Sequence, residues 1–108
     1  MQCKEIIEAI EENYPKEAAL NFDNVGLQAG CSTKKVSKIL LALDAPTPVI
    51  ELAEKQDVDM LITHHPLIFS PLKSITDQDF VGKRILRLIQ DDIAYYAMHT
   101  NYDVLGMA

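Results

Sequence analysis

Apolar residues recur along this chain with two periods, one helical and one suited to buried strands. Ile6, Ile7, Ile10 and Tyr14 return at helical spacing among Glu8, Glu11 and Glu12, which predicts an amphipathic helix stopped by Pro15. The stretch from Asn21 to Gly30 is rich in turn formers and predicts a loop leading into a short strand. Val36 to Leu43 is an apolar run broken only by Ser37 and Lys38, and it ends at Asp44. Being apolar on both faces, it predicts a buried parallel strand. Thr47 followed by Pro48 reads as the N-cap and first residue of a helix carrying Ile50, Leu52 and Ala53. Met60-Leu61-Ile62-Thr63 predicts a second buried strand, ending at His64-His65-Pro66. After a loop through Ser70, Pro71 and Ser74, the residues Phe80, Val81, Ile85, Leu88 and Ile89 have helical period, with Lys83, Arg84 and Arg87 outside. Ile93 to Met98 is a third apolar run, ending at His99.

Strand, helix, strand, helix, strand is the alternation of an α/β fold, a mostly parallel sheet with helices on both faces and right-handed crossovers. Three parallel strands leave open edges, so the pattern predicts extra strands from the N-terminal loop or association between chains. No repeat, low-complexity tract or linker interrupts the 108 residues, which read as one domain over 1–108. Such a domain buries about two-thirds of its unfolded surface, enough for a core with a thin margin.

Composition narrows the classes without naming a function. Ten basic against sixteen acidic residues give a formal charge of −6, which argues against nucleic-acid and anionic-membrane surfaces. No apolar run reaches the roughly 18 residues of a membrane span. Met1-Gln2-Cys3-Lys4-Glu5 lacks the opening of an export signal. Cys3 and Cys31 are lone thiols far apart in sequence, so a reducing, cytoplasmic setting is expected and an inert Cys31 is the default.

Ligands of open parallel sheets bind beyond the carboxyl ends of the strands. Each predicted strand ends there in a residue able to ligate metal or move protons: Asp44, then His64 and His65, then His99 with Asp103 four residues on. Adjacent side chains on a regular strand point to opposite faces. At a strand end before proline the chain turns, so both imidazoles can swing to one rim, where they suit two neighbouring ions better than one. Imidazole with carboxylate is a ligand mix of zinc, iron(II), manganese or nickel hydrolytic sites. The alternative is that one imidazole caps backbone groups and the other is exposed. Asp103 can bind a metal while His99 gives a proton or orients a ligand, or the segment is a helix N-terminus with no chemistry. Asp44 reads as a turn residue or, less often, a ligand. Asp23 and Asn24 read as turn chemistry, with Gly26 and Gly30 supplying permissive backbone.

Asp23-Asn24-Val25-Gly26-Leu27-Gln28, Leu43-Asp44, Ile62-Thr63-His64-His65-Pro66-Leu67-Ile68-Phe69 and His99-Thr100-Asn101-Tyr102-Asp103 occur in one order. Together they resemble the N-terminal part of the NIF-three-like family, whose bacterial members are labelled GTP cyclohydrolase I type 2 homologs. The resemblance implies a dinuclear metal site in an α/β fold and a ring-shaped assembly, commonly a hexamer. By motif, His64 and His65 would each bind one of two divalent ions, with Asp103 a further ligand. His99 would be a proton carrier in a reaction that opens the imidazole ring of GTP and releases formate. Phe22 stands where the family usually has tryptophan. The family's second ligand set, a histidine with a glutamate four residues on, lies in a C-terminal region, and no histidine follows His99 here. The resemblance thus leaves half a metal site, in a fragment, in a site completed by another chain, or in a short form without catalysis. Three readings follow: a metal-dependent hydrolase acting on a purine nucleotide, a non-enzymatic metal-binding or protein-interaction module, and an unrelated metal-dependent phosphoesterase.

Overall fold

A computed structural model of the chain describes residues 1–13, 26–68 and 72–98. Their elements run α1 (Cys3–Asn13), β1 (Gly26–Ala29), β2 (Ile39–Ala42), α2 (Thr47–Lys55), β3 (Met60–Thr63), α3 (Phe80–Gln90) and β4 (Ala94–Ala97). The strands form one four-stranded mixed sheet in the order β1-β4-β3-β2. β2, β3 and β4 are parallel, joined through α2 and α3, and β1 adds antiparallel to β4. The fourth strand comes from the N-terminal loop, where the sequence asked for one. Among the described residues no helix is long and apolar enough to cross a membrane.

Strand alternation divides the buried residues into two clusters. Leu61 and Tyr95 join Ile50 and Ala53 of α2 and Leu88 of α3. Met60, Ile62, Ala94 and Tyr96 join Cys3, with Ile6, Ile7 and Ile10 of α1 packed against them. The Tyr96 hydroxyl donates to Glu11 Oε2 at 2.9 Å, tying α1 to β4. Burial, then the Glu11 carboxylate, pushes this phenol far above its ordinary pKa.

β3 occupies the residues that the sequence marked for it, and every one is buried. β2 does not match its expectation. The run Val36 to Leu43 shrinks to four paired residues at the outer edge of the sheet, where Leu41 and Leu43 are 72% and 62% exposed. An apolar run reads the same whether its neighbour is another strand or solvent. The start of α2 differs too. Pro46 is its N-cap, without a side-chain bond, and Thr47 is the first helical residue. The Thr47 hydroxyl instead accepts from Arg84 Nε at 3.2 Å, joining α2 to α3. α3 begins as a capped helix should, with Asp79 Oδ1 accepting from the Gly82 amide at 2.7 Å. Phe80 and Ile89, read as part of its apolar stripe, are 67% and 51% exposed.

At the amino ends of the parallel strands, both helices stop in the same way. Asp57 and Asp92 adopt positive φ, 52° and 54°. The following amides, Val58 and Ile93, bond back to Ala53 and Leu88 at 3.1 and 2.8 Å. These are Schellman turns with aspartate where glycine is usual. Between them, Asp59 Oδ2 accepts from the amides of Ser37 and Lys38 at 2.9 and 3.1 Å. Those bonds, the Ser37 amide foremost, hold its carboxyl below the usual range. Lys34 bridges Asp59 and Asp92 at 3.7 and 2.9 Å. This end of the sheet is fastening, and the histidines lie at the other.

Candidate metal site

β3 ends at Thr63, and the next two residues leave the strand as a bend before Pro66. The bend brings the His64 and His65 rings face to face, centroids 5.0 Å apart and planes inclined by 22°. Their amides extend the β2–β3 ladder: His64 N donates to Ala42 O at 3.2 Å and His65 N to Leu43 O at 2.8 Å. Asp44, at the end of the neighbouring parallel strand, brings Oδ2 to 3.8 Å from His65 Nδ1. Two strand ends therefore meet at one rim, with both imidazoles and a carboxylate on it. The His65 and Asp44 side chains are about half exposed, whereas His64 is half-buried beside a cleft of about 170 Å³. Leu41, Ala42, Ile62, Thr63 and Met98 line that cleft, and its wall is apolar.

The backbone beyond the pair is held from beneath. Thr63 Oγ1 donates to His65 O at 2.7 Å and lies 2.6 Å from the Tyr95 hydroxyl. That hydroxyl accepts from Leu67 N at 3.0 Å. Burial pushes the Tyr95 phenol above its ordinary pKa, so it keeps its proton. From β1, Gln28 Nε2 donates to Ile68 O at 3.0 Å and Gln28 Oε1 accepts from Ile68 N at 2.9 Å. Tyr95 reads in the sequence only as part of an apolar run, and Gln28 only as part of a family motif.

Imidazole nitrogen with carboxylate oxygen is donor chemistry that divalent transition metals accept. His64, His65 and Asp44 fit such a group in kind, and the two imidazoles stand side by side at one rim. Among the described residues no three His, Cys, Asp or Glu side chains are close enough together to hold an ion by themselves. The two further residues singled out in the sequence, His99 and Asp103, lie outside the described residues.

Comparison with known proteins decides the lineage. The family model Duf34/NIF3 (NGG1p interacting factor 3) matches residues 1–107. The chain belongs to this family. It is 44% identical over 105 residues to a Methanocaldococcus jannaschii protein named GTP cyclohydrolase 1 type 2 homolog, covering 96% of this chain and 42% of that one. A Clostridium perfringens protein of the same name is 42% identical over 103 residues, covering 95% of this chain and 39% of its own length. Among solved structures, a Bacillus cereus protein related to NIF3 superposes with a TM-score of 0.88 at 44% identity. That match covers 95% of this chain and 28% of the B. cereus chain. This Duf34/NIF3 chain thus spans about two-fifths of the length of the two curated relatives.

Proposed function

We propose that this Duf34/NIF3 chain is a divalent-metal-binding, hydrolase-like domain whose metal ligands include His64, His65 and Asp103. The observation that carries the reading is the stacked pair of imidazoles at the carboxyl rim of the parallel strands, 5.0 Å between centroids. Side by side on one bend, the rings suit one ion each. When bound, two ions of zinc, iron, manganese or nickel would polarise the substrate and acidify water. Asp44 places a carboxylate 3.8 Å from the His65 ring, within reach of an ion held there. His99 carries the proton from the attacking water toward the departing nitrogen. The relatives' names support GTP as substrate. One water would add at C8 of its guanine ring and break the C8–N9 bond, leaving a formamide on N7, and a second water would hydrolyse that amide to release formate. With a formal charge of −6, the chain would depend on the ions for most of its hold on phosphate. Two free thiols support a reducing, cytoplasmic setting.

A second reading is a metal-binding or protein-interaction module without turnover, for which the exposed apolar edge at Ile39, Leu41 and Leu43 would supply a contact surface. One experiment tests both. Protein reconstituted with each ion and desalted is expected to retain metal, and His64→Ala/His65→Ala is expected to fall to background. Equal, negligible metal in the two proteins would overturn the metal reading. Formate release from GTP by the loaded protein supports the hydrolase, and metal without formate supports the second reading.

Self-association, into a ring or hexamer, is part of the same proposal. Ile39, Leu41 and Leu43 at the outer edge of the sheet are 42%, 72% and 62% exposed, and open apolar edges are where chains join. Light scattering is expected to give a mass well above the 12.1 kDa of one chain. A monodisperse monomer would count against it.

A further inference from the structure

The bend that carries His64 and His65 has an arrangement of supports that ligand chemistry alone does not require. Pro66 has no N–H, so the backbone from His65 to Leu67 has one donor fewer than an ordinary turn. Two side-chain hydroxyls, both buried, fill the gap: Thr63 at 1% and Tyr95 at 0% exposure. Each hydroxyl has one proton to give, and the shorter contact to the His65 carbonyl, from Thr63, sets the order of the bonds. Thr63 gives its proton to His65 O at 2.7 Å. Tyr95 can then donate to Thr63 Oγ1 at 2.6 Å, while accepting from Leu67 N at 3.0 Å. The longer Tyr95 contact to His65 O, 3.2 Å, competes for the same proton. The result is a directional relay, Leu67 amide to Tyr95 to Thr63 to His65 carbonyl, closing a loop around Pro66. Bonds in such a chain polarise and strengthen one another.

Beyond Leu67, Gln28 holds both the amide and the carbonyl of Ile68, as a strand partner would. The bend is thereby fastened to three neighbouring strands. β2 takes the His64 and His65 amides, β4 reaches the His65 carbonyl and Leu67 amide through the hydroxyls, and β1 holds Ile68. With the backbone fixed on both sides of the pair, each ring has little left to vary except its own side-chain torsions.

We propose that Tyr95, Thr63 and Gln28 are positioning residues for the His64–His65 pair, setting the ring geometry in which the pair meets divalent metal. This rests on the metal reading above and deepens it. None of the three would touch the ion. Removing a hydroxyl frees the bend without removing a ligand, so metal affinity should fall while the ligand set stays whole.

The test measures dissociation constants for Zn²⁺ and Co²⁺ by chelator competition, with the absorption spectrum of the Co²⁺ form. It also measures Leu67 amide exchange in the metal-free protein. The proteins are wild type, Tyr95→Phe, Thr63→Val, Thr63→Ser and Gln28→Leu. Tyr95→Phe and Thr63→Val are expected to bind about tenfold or more weakly, within the range for outer supports of metal ligands, with an altered Co²⁺ spectrum and faster Leu67 exchange. Thr63→Ser keeps the hydroxyl and is expected within about twofold of wild type. Gln28→Leu leaves the relay in place and tests the outer clamp should a core variant fail to fold; it too is expected to weaken binding. Folded Tyr95→Phe and Gln28→Leu that bind like wild type, with an unchanged spectrum, would overturn the positioning role and leave the metal reading standing. Wild type that binds no better than His64→Ala/His65→Ala would overturn both.

Discussion

Gly30→Ala is expected to cost about 3 kcal/mol or more of folding stability, from backbone strain and overpacking together. Gly30 follows β1 with φ +102°, a conformation that side chains disfavour. A Cβ there would lie 2.8 Å from the Cα of Ala94 and 3.3 Å from its Cβ. The first of these atoms is backbone of the buried strand β4, so no side-chain rotation relieves the clash. The strand must shift, and β1 already has a register irregularity between Leu27 and Ala29 to accommodate its course. Moving β1 also moves Gln28 away from Ile68, so the loss extends to the bend carrying the histidines. Denaturant unfolding monitored by circular dichroism measures the cost. A loss below about 1 kcal/mol would mean that β1 slides freely along β4.

Leu61→Ala should cost about 3–5 kcal/mol, the range for a fully buried leucine whose site cannot collapse. Leu61 is 0% exposed in the middle of β3, between Leu40 on β2 and Tyr95 on β4 in the register. Its cluster gathers Ile50, Ala53, Leu88 and Tyr95 from two helices and a strand. Filling the space would require those elements to move together. Domains have about 5–15 kcal/mol in all, so the loss would remove a large share of the total. The denaturation midpoint should fall with little change in slope. A loss under about 1.5 kcal/mol would show a core looser than this packing implies.

The same residue explains how far the sequence could be read. Met60 to Thr63 was legible as a strand because β3 is central and apolar on both faces. Val36 to Leu43 looked alike, and nothing in the run itself says that its far side faces solvent. The helix ends were half legible. Thr47, a residue type that caps, lies inside α2 instead, Asp79 caps α3 without having been singled out, and Asp57 and Asp92 sit where glycine would have been the signal. The site divides likewise. Two histidines at a strand end before proline are visible in the chain, since ligand chemistry belongs to residue types. Their supports are not, because Thr63 and Tyr95 lie 32 residues apart, and Gln28 and Ile68 40. Pairings at that separation come from strand order, which periodicity does not encode. Asp44 needed the parallel register of β2 and β3 to be seen beside His65.

The paired Schellman turns have a practical consequence. Asp57 and Asp92 close the helices at the ends of β3 and β4 opposite the histidine bend. Glycine suits both backbone conformations better than aspartate, although at Asp92 it would also remove the bridge to Lys34. An engineer can therefore tune the robustness of this scaffold at one rim and alter its ligand chemistry at the other, with the length of the strands as insulation between the two.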